Sequence, residues 1–294
     1  MRIGFIGTGK MGLPMARHIA AAGHDVVAYD IAPEQASAAR HAGLAVAPSL
    51  ADAVSAAEVI FSSMPNDGAF SAVAGQIAKA ARPGALYIDT STVSPAASAA
   101  VAPLLAARDI AYLRVTVSGN NHMAEAAKLT ALVSGPADAY ERIKPLLAAL
   151  GPAQFYLGDA EQARLMKLVV NLLIALTGGM LAEALTLGSK GGLEWQAMWD
   201  VITASAVASP IVKAKAAQLA VHDYTPTFTV EQMLKDVGLI LDAGAQLHVP
   251  MGLTALLGQM LHGAAAQGMA GDDYAAIIKS AELAAGMQPG QRQP

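Results

Sequence analysis

The stretch Ile3-Gly-Phe-Ile-Gly-Thr-Gly-Lys-Met-Gly12 decides the fold of this chain. Its apolar start, Ile3–Ile6, predicts a short buried strand, and the glycines that follow lead into a helix. Gly7 can make the tight turn, Gly9 lets a pyrophosphate approach the backbone, and Gly12 lets the helix pack closely on the strand. The first amides of that helix would face the phosphates. The pattern is typical of a dinucleotide-binding turn; the alternative is a glycine-rich turn that binds nothing.

A carboxylate ends the next predicted strand. The apolar run Val26–Tyr29 leads to Asp30, about 20 residues beyond the glycines, where an acidic side chain can accept hydrogen bonds from an adenosine ribose. A carboxylate there repels a 2′-phosphate, and Ile31, Ala32 and Pro33 offer no arginine to receive one. NAD is therefore the expected cofactor, and NADP is less favoured.

Composition narrows the classes of protein that fit. The 294 residues suit one large or two ordinary domains. Charged residues make up 14% of the chain and the net charge is −4 without a basic cluster, so nucleic acid is not an expected partner. The chain has no cysteine, which excludes disulfides and cysteine nucleophiles. Its histidines and acids form no spacing that would support a metal site.

The most apolar helical stretch, Leu165–Leu187, raises the question of a membrane span. Lys167, Asn171 and Glu183 interrupt it, and ionisable side chains are costly inside a bilayer. The first predicted strand begins at Ile3, which leaves no room before it for a signal peptide. We therefore expect no membrane association and a cytoplasmic location.

Strand and helix patterns alternate over residues 1–160. The predicted strands are Ile3–Ile6, Val26–Tyr29, Val59–Met64, Leu86–Asp89, Ala111–Val117, Thr130–Ser134 and Gln154–Leu157. Helical patterns or turn signals separate them, at Pro14–Ala22, Pro33–His41, Asp67–Ala80, Pro95–Ala107 and Ala137–Leu150. Short apolar strands between helices predict a largely parallel sheet covered on both faces. The fold class is α/β, with an N-terminal Rossmann-type doubly wound domain.

After this region the pattern is helical only. A long connecting helix is predicted over residues 161–190, and the pair Gly178-Gly179 could loosen or kink it. Further helices are predicted at Trp195–Ser205, Ile211–Val221, Val230–Leu247, Met251–Gln267 and Tyr274–Leu283. They define an all-α C-terminal domain over residues 191–294, for substrate binding and oligomerisation. The tail Gln288–Pro294 is predicted to be unstructured.

Four further motifs carry polar groups in a defined order. They are Met64-Pro65-Asn66, Asp89-Thr-Ser-Thr-Val-Ser-Pro95, Val117-Ser-Gly-Asn120 and Gly158-Asp-x₂-Gln-Ala-Arg-Leu-Met-Lys167-x₃-Asn171. A hydroxyl after a strand, such as that of Thr92, lies where open α/β sheets bind ligands. Taken alone, this Ser/Thr cluster fits a helix N-cap before Pro95 equally well.

Taken in order with the glycine motif, these stretches resemble the β-hydroxyacid dehydrogenases. The similar group contains 3-hydroxyisobutyrate dehydrogenase, tartronate semialdehyde reductase and glyoxylate/succinic semialdehyde reductase. The resemblance covers nearly the whole chain, and Met11, Pro14 and Met15 are family-typical additions to the glycine motif. It implies an oxidoreductase that interconverts a small carboxylate-bearing β-hydroxy acid and its semialdehyde, assembled as a homodimer or homotetramer.

The resemblance also implies the residues that bind the cofactor. They are Gly7, Gly9, Lys10, Met11, Gly12, Asp30, Met64, Pro65, Thr92 and Lys235. Thr92 is expected beside the nicotinamide, and Lys235 is expected to approach from the helical domain. For Lys235 the alternative is a solvated pair with Asp236 at a helix surface.

Substrate binding is assigned by the resemblance to Ser118, Gly119 and Asn120, and catalysis to Lys167 and Asn171. Backbone amides and the Ser118 hydroxyl can hold a carboxylate. Lys167 and Asn171 lie four residues apart and share one helical face, on the helix that connects the domains. A lysine can exchange the hydroxyl proton during hydride transfer when desolvation and a nicotinamide cation lower its pKa. Without the other motifs, a helical lysine is usually a surface residue.

The chain departs from the family pattern in two places. Most relatives continue with Gly-Gly and later have Gly-Thr-Leu, whereas this chain has Gly119-Asn120-Asn121-His122 and Ala127-Lys128-Leu129. The extra polar groups could reach the substrate or face solvent. Val170 stands where a second asparagine often precedes Asn171, as in the glyoxylate/succinic semialdehyde reductase branch. That branch tends to use NADP, which Asp30 disfavours.

Two other functions stay open. An imine reductase or reductive aminase shares the architecture, although those relatives usually have another residue in place of Lys167. A non-catalytic dinucleotide-binding protein is the second alternative. The joint presence of Lys167, Asn171 and Ser118 counts against it. The sequence does not determine the substrate.

Overall fold

The computed structural model describes residues 1–288, so the predicted tail lies outside the described residues except for Gln288. The chain divides into two compact units, Met1–Lys167 and a second that begins at Leu168. The first unit contains the sheet, and the second is built from helices.

The first unit is organised around one eight-stranded sheet. Its strands are β1 (Arg2–Ile6), β2 (Asp25–Tyr29), β3 (Ala45–Val46), β4 (Val59–Ser62), β5 (Leu86–Asp89), β6 (Ala111–Ser118), β7 (Thr130–Ser134) and β8 (Ala153–Tyr156). They lie in the order β3-β2-β1-β4-β5-β6-β7-β8. Neighbours are parallel except β6 and β7. This arrangement confirms the Rossmann-type fold, and its switch point, where ligands bind in such sheets, lies between β1 and β4.

Helices cover both faces of this sheet. They are α1 (Gly12–Ala21), α2 (Pro33–His41), α3 (Leu50–Val54), α4 (Asp67–Ala80), α5 (Pro95–Ala106), α6 (Asn121–Glu125) and α7 (Ala137–Leu147). Alternate residues of one strand enter different apolar clusters: Ile3 and Phe5 belong to one, and Ile6 belongs to another. Successive strand residues point to opposite faces, so the sheet has a core on each side, as predicted.

The helices of the remaining chain begin with α8 (Gln162–Lys190), which starts in the first unit. The others are α9 (Trp195–Ala204), α10 (Pro210–Leu219), α11 (Val230–Gln246), α12 (Gly252–Ala264) and α13 (Ile277–Ala284), with a π-helical turn Ala265–Met269 and a 3-10 turn Tyr274–Ala276. Between residues 168 and 288 no β-strand is present. The predicted all-α C-terminal region is thereby confirmed.

The glycine pair in α8 serves packing. The helix continues through Gly178 and Gly179. A Cβ at Gly178 would lie 2.9 Å from Cε2 of Tyr274, and one at Gly179 would lie 3.1 Å from Cδ1 of Leu257. The missing side chains therefore let neighbouring segments of the second unit approach α8 closely.

The same helix has the length and composition of a membrane span. It contains 29 residues, its most apolar window has a mean hydropathy of 1.9, and 39% of that window is buried inside the structure. One helix of this kind is weak evidence for a membrane, because the core helix of a globular fold meets the same criteria. Lys167 and Asn171, both buried, lie within α8.

Candidate active site

Packing and backbone conformation require glycine at two of the three glycine positions after β1, Gly7 and Gly12, but not at Gly9. Gly7 has a φ of +87°, and a Cβ there would lie 2.5 Å from the carbonyl oxygen of Ser63. A Cβ at Gly12 would overlap the carbonyl oxygen of Gly7. A Cβ at Gly9 would meet nothing within 4 Å, and Gly9 is not among the residues with positive φ. Neither packing nor backbone conformation demands glycine at position 9, so the space above it suits a ligand.

The Gly12 amide, at the start of α1, makes no described hydrogen bond and is available to such a ligand. Leu13 N already donates to the Gly9 carbonyl oxygen at 3.0 Å, and Pro14 has no N–H. This helix begins without a side-chain cap. In α4 and α5, by contrast, the side chains of Asn66 and Ser94 accept hydrogen bonds from amides of the first turn. The first amides of a helix have no partner inside the helix, and a phosphate is a suitable acceptor for them. The glycine loop and α1 therefore fit a dinucleotide pyrophosphate.

Asp30 is held beside this loop. Its Oδ2 accepts a hydrogen bond from Thr8 N at 2.7 Å, and its Oδ1 accepts one from Ala32 N at 2.9 Å. Thr8 Oγ1 also donates to Oδ2, at 3.4 Å, whereas Oδ1 keeps a lone pair for a further donor, which suits a hydroxyl of a ribose. The following side chain, Ile31, is 88% exposed and apolar, so it offers no charge to a 2′-phosphate.

The segments after β4 and β5 are tied together. Met64 N donates to Ser91 Oγ at 2.7 Å, and Ser91 Oγ donates to Asp89 Oδ2 at 2.7 Å. Thr92 follows directly and is half-buried, whereas Pro65 is exposed. Because β1, β4 and β5 are parallel neighbours, Met64 and Thr92 lie at the same edge of the sheet as the glycine loop.

The predicted substrate loop ends β6. Ser118 is half-buried, and Gly119 has a φ of +140°. Asn120 Oδ1 accepts a hydrogen bond from Met123 N at 3.0 Å, so this side chain caps α6 in addition to its predicted contact with substrate. Ala127 adopts a φ of +52°, a conformation that costs a residue with a Cβ more than it costs glycine.

Contacts within the first unit fix the start of α8 to the sheet. Thr116 Oγ1, on β6, donates to the carbonyl oxygen of Ala163 at 3.0 Å. Arg164 Nη1 donates to the carbonyl oxygen of Ser91 at 2.6 Å. Lys167 follows three residues later, within one turn of the helix, and is only 8% exposed. The predicted proton-exchanging lysine is therefore buried, on a helix that is anchored at the carboxyl ends of β5 and β6.

A buried ion pair accompanies this anchor. Arg164 Nη2 lies 2.6 Å from Asp89 Oδ1, and both side chains are fully buried. Burial opposes the charge on Arg164, but Tyr112 and Asp89 outweigh it and raise the arginine pKa. Burial raises the pKa of the Tyr87 and Tyr112 phenols, so these hydroxyls stay neutral.

Asn171 has a defined orientation within the second unit. It is buried, and its Nδ2 donates to Asp236 Oδ2 at 2.5 Å. Lys235 Nζ lies 2.8 Å from Asp236 Oδ1. Because the amide nitrogen faces Asp236, the carboxamide oxygen of Asn171 remains directed elsewhere as an acceptor. Lys235 forms the pair with Asp236 that its alternative interpretation predicts, although the Asp236 side chain is buried.

Sequence reasoning missed the buried contacts of two residues in this site. Arg164 and Asp236 both occur on predicted helices, where charged side chains usually face solvent. Their partners are distant in sequence, 75 residues away for Arg164 and Asp89 and 65 for Asp236 and Asn171. A single sequence carries no signal that links such residues.

Comparison with known protein families agrees with this geometry. Residues 2–158 match the NAD-binding domain of 6-phosphogluconate dehydrogenase. Residues 162–281 match the NAD-binding domain of NADP-dependent 3-hydroxyisobutyrate dehydrogenase. Together with the glycine loop and Asp30, these matches define a nicotinamide-dinucleotide-binding oxidoreductase.

Individual relatives match over nearly their full lengths. The chain is 33% identical to 2-(hydroxymethyl)glutarate dehydrogenase of Eubacterium barkeri, covering 98% of this chain and 97% of that enzyme. It is 34% identical to L-threonate dehydrogenase of Cupriavidus necator, covering 94% and 95%. The structure of Mycobacterium tuberculosis 3-hydroxyisobutyrate dehydrogenase with L-serine aligns with a TM-score of 0.87 at 30% identity, covering 95% and 98%. The chain belongs to the β-hydroxyacid dehydrogenase family.

Proposed function

We propose that this protein is an NAD-dependent dehydrogenase that interconverts a small β-hydroxy acid and its semialdehyde. The observation that carries the proposal is the burial of Lys167 on the turn of α8 that follows the anchored Arg164. A buried lysine needs a reason, because lysine is among the residues least often buried. Proton exchange with a substrate hydroxyl supplies that reason in this family.

Each residue then has a defined task. NAD, when bound, supplies the hydride acceptor for oxidation, and NADH supplies the donor for reduction. Gly9, the Gly12 amide and the Asp30 carboxylate would hold the dinucleotide, with Lys10, Met11, Met64, Pro65, Thr92 and Lys235 as further contacts.

The reacting groups are handled by other side chains. Lys167 Nζ accepts the hydroxyl proton during oxidation and returns it to the carbonyl oxygen during reduction. Ser118 Oγ and the Gly119 amide bind the substrate carboxylate, with Asn120 beside them. Asn171 Oδ1, freed by the hydrogen bond from Nδ2 to Asp236, accepts a hydrogen bond from Lys167 or from the substrate hydroxyl.

The names of the relatives support this substrate class. The names 2-(hydroxymethyl)glutarate and L-serine both denote carboxylates with a hydroxyl on the β-carbon. Enzymes named for two different acids, 2-(hydroxymethyl)glutarate and L-threonate, match this chain almost equally well. Identity therefore supports the class and leaves the individual acid to experiment.

The test is a panel of C3–C5 hydroxy acids and semialdehydes, each assayed with NAD(H) and NADP(H). We expect turnover of a β-hydroxy acid with NAD. Oxidation of NADH or NADPH that requires both a ketone and an amine would instead identify an imine reductase. Tight NADH binding without turnover over the panel would identify a non-catalytic dinucleotide-binding protein.

Cofactor preference depends on Asp30. Changing Asp30→Asn together with Ile31→Arg removes the negative charge and adds a guanidinium for a 2′-phosphate. Like charges brought together cost several kcal/mol, so we expect the ratio of kcat/KM for NAD to that for NADP to fall about 100-fold or more.

The control is Asp25→Asn, which removes an exposed carboxylate at the start of the same strand. It should leave the NAD to NADP ratio unchanged. A wild-type enzyme that prefers NADP, or a double variant with an unchanged ratio, contradicts the role given to Asp30.

We propose further that a second copy of the chain covers an apolar face of the second unit. Leu173, Met180 and Leu187 are exposed on α8, and Leu253 and Leu256 are exposed on α12. Leu173, Met180 and Leu187 recur every seven residues along α8, and Leu187 and Leu256 line one groove. An exposed apolar surface of this kind marks an interaction site. The buried polar residues Lys167 and Asn171 in α8 favour a protein partner over a bilayer.

Sedimentation velocity tests this assembly. We expect a dimer or tetramer for the wild type and dissociation in Leu187→Glu, because the interface would bury an unpaired carboxylate. Val221→Glu, at an equally exposed position outside α8 and α12, should keep the wild-type mass. A monomeric wild type, or one that cosediments with phospholipid vesicles, contradicts the proposal.

A further inference from the structure

The Arg164 side chain donates four hydrogen bonds to buried groups. This side chain is itself fully buried. Nη1 donates to the Ser91 carbonyl oxygen at 2.6 Å, and Nη2 donates to Asp89 Oδ1 at 2.6 Å and to the Tyr112 hydroxyl at 2.9 Å. Nε donates to Ser98 Oγ at 3.3 Å. One side chain thus joins the first turn of α8 to β5, β6 and α5.

Two of these contacts hold the segment that contains Thr92. The Asp89 carboxylate also accepts from Ser91 N at 3.1 Å and from Ser91 Oγ at 2.7 Å. The conformation of residues 89–91 is therefore built around a carboxylate that Arg164 neutralises. Thr92 is the next residue, so the conformation of residues 89–91 determines where Thr92 lies.

Arg164 also fixes the position of Lys167, because both residues lie in α8, at the other end of the contacts to Asp89 and Ser91. Lys167 lies three residues after Arg164, within one turn of α8, so a shift of Arg164 moves Lys167 with it. We propose that Arg164 is a positioning residue that sets Lys167 relative to Thr92. This inference rests on the proposed function, since it presupposes that Lys167 exchanges the substrate proton.

The chemistry of the site requires arginine. A guanidinium presents five donors in a fixed plane and can reach a carboxylate, a carbonyl and hydroxyls together. A lysine at this position keeps the charge but holds its three donors on one atom. A neutral residue at position 164 would leave the buried Asp89 charge uncompensated and would destabilise the folded state.

These differences determine the variants. Arg164→Lys keeps the charge and loses the fork of donors. Arg164→Met combined with Asp89→Asn removes both charges, and replacing both members of a buried ion pair is often neutral for stability. The two variants perturb the protein differently, so if one of them does not fold, the other still tests the role of Arg164.

A second buried pair supplies the matched control. Arg114, on β6, donates from Nε to Glu161 Oε1 at 2.9 Å, and Glu161 precedes α8 by one residue. The Arg114 side chain therefore tethers the same end of α8, and none of its described hydrogen bonds reaches residues 89–92. The control variant is Arg114→Met with Glu161→Gln. The Arg114 backbone is the strand partner of Asp89, and these two substitutions leave the backbone in place.

Two measurements separate positioning from mere stabilisation. Hydrogen–deuterium exchange measures how fast the backbone amides of residues 89–92 and 162–167 exchange, and it does not require an active enzyme. The value of kcat, divided by the number of sites that bind NADH, reports catalysis in folded molecules alone. Misplacement of a reacting group by about 1 Å can cost about 100-fold.

For both Arg164 variants we expect faster exchange in both segments and a fall in kcat per site of about 10- to 100-fold, with NADH affinity retained. The control should leave exchange at 89–92 unchanged and lower kcat per site less than either Arg164 variant does. Wild-type exchange at 89–92, wild-type kcat per site, or an equal loss in the control overturns the role of Arg164. A wild type that binds NADH and turns over no panel compound contradicts the proposed function itself.

Discussion

Replacing Lys167 with alanine is expected to lower kcat about 100-fold or more, because general acid–base catalysis contributes about 100- to 10,000-fold. NADH affinity should stay near the wild-type value, since the proposed dinucleotide contacts lie on the glycine loop, at Asp30, after β4 and β5 and at Lys235, and do not include Lys167. Steady-state kinetics with the substrate found in the panel, and NADH fluorescence titration, measure the two quantities separately.

The matched control is Lys190→Ala. Lys190 is the last residue of the same helix, is exposed, and donates from Nζ to the Ala285 carbonyl oxygen at 3.0 Å. Its loss should leave kcat at the wild-type value. A Lys167→Ala protein that retains wild-type kcat removes this lysine from the mechanism, whatever the control shows.

Replacing Gly9 with alanine is expected to weaken NADH binding about 100-fold while the protein stays folded. In the structure a Cβ at this position meets nothing within 4 Å, so the fold accepts it. The added methyl group would occupy space that the pyrophosphate needs, and forced overpacking costs up to about 3 kcal/mol, which corresponds to about 100-fold in affinity. Fluorescence titration measures the affinity, and thermal unfolding measures stability.

Gly75→Ala is the control for this substitution. Gly75 lies inside α4, and a Cβ there also meets nothing within 4 Å. Because alanine is the better helix former, this variant should be slightly more stable than the wild type and bind NADH normally. Gly9→Ala with wild-type NADH affinity would show that the dinucleotide does not approach this loop.

The sheet was largely predictable because its strands are short, apolar and separated by clear turn signals. Residues Leu86–Asp89 and Thr130–Ser134 were predicted at the bounds the structure shows. The strand Ala45–Val46 and the helices Leu50–Val54 and Asn121–Glu125 were missed. Elements of two to five residues contain too few positions to show a period of 2 or 3.6.

The candidate site, like the sheet, could be predicted from the sequence only in part. Local sequence indicates the glycine loop and Asp30, because the turn, the helix start and the acid follow each other along the chain. The structure adds why Gly9 stands apart from Gly7 and Gly12: only the latter two are forced by packing. Arg164 could not be found locally, since the network it forms exists only once β5, β6 and α8 have come together.

The Asn120 side chain shows a second limit of sequence reasoning. A polar residue in a binding loop suggests a contact with substrate. The structure uses its oxygen to cap a five-residue helix, a role that only the folded backbone reveals. Both roles can coexist, because an amide group offers donors as well as an acceptor.

Direct transfer of deuterium tests the central claim. NADH that carries deuterium on the transferred position of nicotinamide C4 is incubated with the semialdehyde of the best panel substrate, and the product is examined by mass spectrometry and NMR. We expect one deuterium on the carbinol carbon of the hydroxy acid with the wild type, and about 100-fold slower labelling with Lys167→Ala. Product without deuterium at that carbon, or equal labelling rates in the two proteins, would contradict NAD-dependent hydride transfer assisted by Lys167.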